Sequence, residues 1–195
     1  MIKIAIDGFD GTGKTTLINN VTQLLNKGSN ITVERLIPST VAFMKDMENR
    51  ENVRFPVEFR LSAYIWETFI RLSLKNVLYK DCDYVFFDRW FFSYFGRVGY
   101  FHNDLEFYEC VIKNIEKPNF LFLLKPDYDV VWNNLRKNDD WMVHKYIQSE
   151  LKCMYDAFYE RYEYLVELTS TDCCIIQSTS LEEVTSQVIA QILDD

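Results

Sequence analysis

Apolar residues along this chain fall into two alternating rhythms. Short, almost uninterrupted apolar runs occur at 2–6, 31–37, 84–87, 120–124 and 173–176, rich in Ile, Val, Phe and Leu, and they predict strands. Between them, apolar residues recur at helical spacing over 16–25, 57–79, 129–135, 143–168 and 181–193. Punctuation agrees with this reading: Pro38 closes the second run, Phe55-Pro56 precedes the long helical stretch, and Lys125-Pro126 follows the fourth run. Strands that are apolar on both faces, separated by helices, predict a parallel sheet covered on both sides. The expectation is an α/β fold of three layers, a five-stranded parallel sheet between helices. Neither a repeat nor a linker interrupts the pattern. At 195 residues the chain is therefore expected to form one domain, 1–195, with a full core.

The junction of the first strand and first helix carries the strongest chemistry. Gly8-Phe9-Asp10-Gly11-Thr12-Gly13-Lys14-Thr15 fits the phosphate-binding pattern G-x-x-x-x-G-K-[ST], in the strand–loop–helix context that the pattern requires. Gly8, Gly11 and Gly13 let the backbone turn its N–H groups inward toward phosphate oxygens. The helix starting near Thr16 adds the partial positive charge of its N-terminus. Lys14 is expected to reach the β- and γ-phosphates, and the Thr15 hydroxyl to ligate Mg²⁺. Gly8, Gly11, Thr12, Gly13, Lys14, Thr15 and Thr16 thus form the expected nucleotide site, with ATP and Mg²⁺ as its ligands.

Composition narrows the partners. With 29 acidic against 21 basic residues the net charge is −8, which opposes non-specific attraction to nucleic acid or anionic membrane. No apolar run approaches the ~20 residues needed to cross a bilayer. The five cysteines, Cys82, Cys110, Cys153, Cys173 and Cys174, are odd in number and show no C-x-x-C spacing. Free thiols in a reducing cytoplasm are the expectation. His102 and His144 are the only histidines, which argues against a His/Cys zinc site.

Asp88-Arg89-Trp90 follows the third strand. An acid at a strand end beside a phosphate loop can hold Mg²⁺ or accept a proton, and an adjacent arginine can clamp an acceptor phosphate. Here the chain resembles the thymidylate kinase family of P-loop kinases across most of its length. The resemblance rests on Asp7-Gly8-Phe9-Asp10-Gly11-Thr12-Gly13-Lys14-Thr15-Thr16, with its acid at Asp10, and on Asp88-Arg89-Trp90 with Ser93, which is similar to the family's D-R-[YH]-x-x-S segment. It implies that Asp10 contacts the acceptor sugar and Arg89 the acceptor phosphate. It also implies a homodimer, for which the apolar, aromatic helix from Phe59 to Leu74 offers a face.

The acceptor side departs from the family pattern. After the second strand, where the family presents an arginine, the chain has Pro38-Ser39-Thr40, with Arg35 placed earlier. Leu61 and Ile65 stand near the positions of the family's base-binding residues, and Gly96-Arg97 replaces a small-aromatic pair. Arg54, Arg60 and Arg97 are candidate substitutes for the missing cations. Tyr64, Trp66 and Glu67 are candidate base or sugar contacts, although aromatics on an apolar helix are more often core. Downstream of the fourth strand, residues around 135–145 read as a short lid. Because the phosphate loop has no arginine of its own, Arg136, helped by Lys137, is the expected lid cation.

The expected activity is transfer of the γ-phosphate of ATP to a deoxynucleoside monophosphate, thymidylate by resemblance. The catalytic set would be Lys14, Asp88, Arg89 and Arg136, with Asp10, Arg35, Arg60, Tyr64, Glu67 and Arg97 on the substrate and Thr15 and Asp88 on the metal. An alternative is a hydroxyl acceptor, a deoxynucleoside or a hydroxymethylated pyrimidine in DNA, with Asp88 as general base. A GTP-dependent switch is disfavoured: Leu124-Lys125-Pro126-Asp127 lacks the asparagine of a guanine reader.

Overall fold

The computed structural model describes residues 1–26, 28–35, 39–101, 106–178 and 180–193, of which 41, 75, 76, 98–101, 106 and 107 by backbone alone. Leu36, Ile37 and Pro38, the end of the expected second strand, lie outside the described residues, as does His102. Strands β1 (Ile2–Gly8), β2 (Ile31–Glu34), β3 (Tyr84–Asp88), β4 (Phe120–Leu124) and β5 (Cys174–Ile176) form one five-stranded sheet in the order β2-β3-β1-β4-β5. Every pairing is parallel, so the strands' carboxyl ends share one edge. In register, Ile6 lies opposite Asp88 and Gly8 opposite Leu124. The chain turns to opposite sides of β1 at that edge, which opens the crevice where such sheets bind ligands.

Alternation along the strands divides the core into two layers. Ile4, Ile6, Phe86 and Phe122 face α1 (Lys14–Leu25) and α10 (Leu181–Leu193) through residues such as Leu17, Val21 and Val188. Ala5, Val85, Phe87, Leu121 and Leu123 face the other way. They join Leu61 and Tyr64 of α3 (Val57–Ser73), Phe92 and Phe95 of α5 (Phe92–Phe101), and Phe158 and Tyr162 of α9 (Gln148–Thr169). Helix α5 approaches α9 closely at Gly96, where a Cβ would sit 3.0 Å from the Phe158 ring. The three-layer expectation holds.

Some boundaries differ from the sequence pattern. The stretch 57–79 is two helices, α3 and α4 (Lys75–Leu78), the second starting with the Val77 and Leu78 N–H groups on the Leu74 carbonyl. The stretch 143–168 is also divided. Asp140 accepts from the Met142 N–H at 2.9 Å and starts α8 (Trp141–Lys145), while Glu150 reaches back to the Ile147 N–H at 3.0 Å and starts α9. The pattern did not predict α2 (Ser39–Glu51), α5 or α6 (Glu106–Lys113). Helix α7 (Tyr128–Lys137) follows β4 as expected. All five cysteines are free thiols, and no helix among the described residues is long and apolar enough to cross a membrane.

Candidate active site

The phosphate loop is held open by contacts from distant parts of the chain. Gly8 has φ +145°, and a Cβ there would lie 2.7 Å from the Leu124 carbonyl oxygen and 2.9 Å from the Thr12 hydroxyl. The Tyr159 hydroxyl accepts from the Phe9 N–H at 3.2 Å and donates to the Leu124 carbonyl at 2.5 Å, tying the loop to β4. On the far side, the Asn134 amide donates to the Gly11 carbonyl at 2.9 Å. No acidic residue sits in the first turn of α1, so the helix N-terminus presents only partial positive charge.

Lys14 is buried and folds over the loop, donating from Nζ to the Gly8 carbonyl at 3.0 Å and the Phe9 carbonyl at 2.6 Å. Burial, followed by the Arg89 charge, pushes its pKa down to about 7 despite Asp10, Asp7 and Asp88. The Thr15 hydroxyl donates to Asp88 Oδ2 at 3.2 Å, while the buried Oδ1 has no partner among the described residues. Such an orphaned oxygen beside a hydroxyl suits a hard cation that takes oxygen ligands and completes its shell with water and substrate phosphate. No larger metal cage of His, Cys, Asp or Glu occurs among the described residues. Arg35 also reaches this point, with Nε 3.8 Å from Asp88 Oδ2.

Asp7 organises the segment after β3. Fully buried, it accepts from the Gly8 N–H at 2.9 Å, the Trp90 N–H at 3.0 Å and the Tyr162 hydroxyl at 2.9 Å, and from the Ser93 hydroxyl. Pulled between Ile6 and Asp7, the Arg89 backbone adopts φ +81°, a left-handed conformation that is strained for a residue with a side chain. That turn directs the Arg89 guanidinium to the Gly8 carbonyl at 3.2 Å and to Asp10. Arg97 of α5 bonds the other Asp10 oxygen. Burial raises the Asp10 pKa, but Arg97, Arg89 and Lys14 outweigh it and hold the carboxyl well below the ordinary carboxylate range.

Asp10, Gly11, Gly13, Lys14, Thr15, Thr16, Arg35, Asp88 and Arg89 therefore share one polar cavity of about 220 Å³ with Asn138, which the sequence pattern did not single out. Thr12 and Gly13 also border an adjoining, largely apolar cavity of about 180 Å³ walled by Leu17, Leu124, Pro126, Val130 and Leu181. Other expected site residues stand apart. Arg136 is exposed, with its guanidinium 5.9 Å from the Trp132 ring centre, and does not line the phosphate cavity. Tyr64 is core and stacks on Tyr94 at 4.4 Å, whereas Trp66 is exposed to solvent. Glu67 accepts from the Ser39 and Thr40 N–H groups at 2.8 and 2.9 Å, which makes it the cap of α2. Arg60 pairs with Glu48 at 2.5 Å, and its charge acts on Tyr94. Asp7 had a signal, an acid ending an apolar strand just before the loop. Asn134 and Asn138 had only their spacing of four along α7's end.

The thymidylate kinase model matches residues 6–189, from the end of β1 into α10. The chain belongs to the thymidylate kinase family. It is accordingly a P-loop phosphotransferase, and its family points to a nucleoside monophosphate as acceptor. The matched span takes in the phosphate loop, Asp88-Arg89 and the whole of α7, so the thymidylate kinase match and the cavity coincide. A comparison with curated proteins found no match.

Proposed function

We propose that the protein transfers the γ-phosphate of ATP to a deoxynucleoside monophosphate, thymidylate by family resemblance. The observation that carries this reading is the pairing of Arg89 and Arg97 on Asp10, beside Lys14 and at the mouth of the phosphate loop. Two fixed guanidinium groups suit an acceptor that is itself a phosphate, and they add to Arg35, which directly follows β2 and borders the same cavity. Asp10 acts by positioning them.

In this reading the triphosphate lies on the loop's N–H groups and the adenine in the apolar cavity next to Thr12. An oxygen of the acceptor phosphate attacks the γ-phosphorus. The bond from that phosphorus to the β–γ bridging oxygen breaks, and ADP leaves with the electron pair. Lys14, Arg89 and Arg97 offset the charge that spreads over the moving group. Thr15 and Asp88 would hold Mg²⁺, which supplies further charge neutralisation on the phosphates. Residues 135–145 would form the lid. The exposed face of α3, with Phe59, Trp66, Phe69 and Ile70, supports a homodimer.

The test is γ-labelled ATP and Mg²⁺ against the four deoxynucleoside monophosphates, thymidine and an oligonucleotide with a hydroxymethylated pyrimidine, with Lys14→Ala as blank. Label on one monophosphate supports the reading and names the base. Label only on thymidine or on the oligonucleotide would replace it with the hydroxyl-acceptor alternative.

A further inference from the structure

Helix α7 ends over the phosphate cavity, and the side chain it contributes there is uncharged. Asn138 lines that cavity together with Lys14, Arg35 and Arg89, while Arg136, two residues earlier, is turned onto Trp132. Asn134 and Asn138 are four residues apart, so they share one stripe of the helix end. The first of the pair is already engaged, its amide holding the Gly11 carbonyl at 2.9 Å. The second is the C-cap, its backbone N–H bonded to the Asn134 carbonyl at 3.0 Å. Just beyond it, Asp139 adopts φ +50° and the Asp140 N–H returns to the Leu135 carbonyl at 3.0 Å, so the chain reverses at this point. Leu135 packs against Gly11 on the same side, where a Cβ on that glycine would lie 3.0 Å away. The end of α7 is thereby fixed to the loop.

We infer that Asn138 is a catalytic residue of this kinase, donating its side-chain amide to a γ-phosphate oxygen, and that Asn134 is the positioning residue that keeps it there. The inference rests on the ATP-dependent reading above and names the lid group that reading leaves open. A neutral amide suits this cavity. Lys14, Arg35 and Arg89 already supply positive charge, and an amide aimed at the developing charge adds a fixed dipole without repelling them. In this reading the lid need not deliver a cation, because a neutral residue at the cavity's border takes that role.

The experiment compares wild type, Asn138→Ala, Asn138→Asp, Asn134→Ala and Arg136→Ala. It reads calorimetric binding of a non-hydrolysable ATP analogue and of ADP, each with Mg²⁺, and then kcat and KM with the best acceptor. Contact with the γ-phosphate predicts that Asn138→Ala weakens the ATP analogue several-fold while leaving ADP within twofold, and lowers kcat by about 100-fold, the usual loss for one such donor. Asn138→Asp should lose more, because it sets a carboxylate against the triphosphate. Asn134→Ala should lower kcat in the same direction with its melting temperature little changed. Equal losses for ATP analogue and ADP, no loss at all, or a larger kcat loss in Arg136→Ala would overturn the inference. If wild type itself failed to bind the ATP analogue, the kinase reading would fall and this inference with it.

Discussion

Arg97, on α5, is bonded to Asp10, in the phosphate loop, although 87 positions separate them in the chain. The other oxygen of the same carboxylate takes Arg89, so one acid in the loop fixes both guanidinium groups. Replacing Asp10 by Asn keeps the shape and removes the charge. Each guanidinium then loses its ionic partner in a largely buried place, where hydrogen bonds to charged groups are worth roughly 1.5–3 kcal/mol. Steady-state kinetics with varied acceptor should show kcat/KM reduced by about 100-fold and the acceptor KM raised, with the KM for ATP changing less.

Binding of a triphosphate is expected to depend on pH through Lys14. In the free protein burial and Arg89 bring its pKa to about 7, against 10.5 in the unfolded chain. Between those values the unfolded chain holds more protons, so the stability of the free protein should rise as pH increases through that range. Arrival of a triphosphate restores the lysine's charge, and a proton is taken up. Calorimetry of ATP binding near pH 8 in buffers of different ionisation enthalpy should detect that uptake, and Lys14→Met should abolish it.

Glu67 sits on α3 and caps α2, a helix whose own residues give little reason for it to form. The cap loses its charge only in strong acid: burial opposes ionisation, yet bonds from Thr40, Ser39 and Arg71 bring the pKa down to about 2. Because the folded value lies below the unfolded one, this contribution is complete above pH 4.5 and fades as pH falls toward about 2. Glu67→Gln should cost about 1 kcal/mol in denaturant unfolding at neutral pH, the usual worth of a cap, and the difference should shrink in acid.

The exposed face of α3 is tested by charge. Trp66 is 67% exposed, and Phe69 and Ile70 are about half exposed, which is costly area to leave in water. Sedimentation should find wild type as a dimer and Trp66→Glu as a monomer with an unchanged melting profile at low concentration.

The phosphate loop, the alternation of strands and helices, and Asp88-Arg89 were legible in the sequence because each is a local pattern with a local cause. The strand-borne part of the cavity followed from them. What was hidden depends on contacts between distant segments. Helix α2 carries little apolar periodicity and is begun by Glu67 from 28 positions away, so its own residues do not announce it. Arg136 read as a lid cation from its charge and place, but Trp132, one helical turn earlier, offers its ring as an alternative partner. Asp10 read as a sugar contact by resemblance; no rule of spacing could show that Arg97 would occupy one of its oxygens. Helix α5 was not predicted either, and the glycine at position 96 is explained by the nearness of the Phe158 ring from distant α9.

The order of the strands has a consequence for how the chain is made. Synthesised before the other four strands, β1 occupies the middle of the sheet, and its neighbours are β3 and β4. Its central position stays open on both sides until residues 84–88 and then 120–124 have been synthesised. At ~5–20 residues per second the wait for β4 lasts on the order of ten seconds. Through that interval the nascent chain carries Ile4, Ile6 and the phosphate loop without the sheet that shapes them. Folding of this kinase is therefore expected to be late and concerted, and a chain stopped before β4 to have no place to bind a nucleotide.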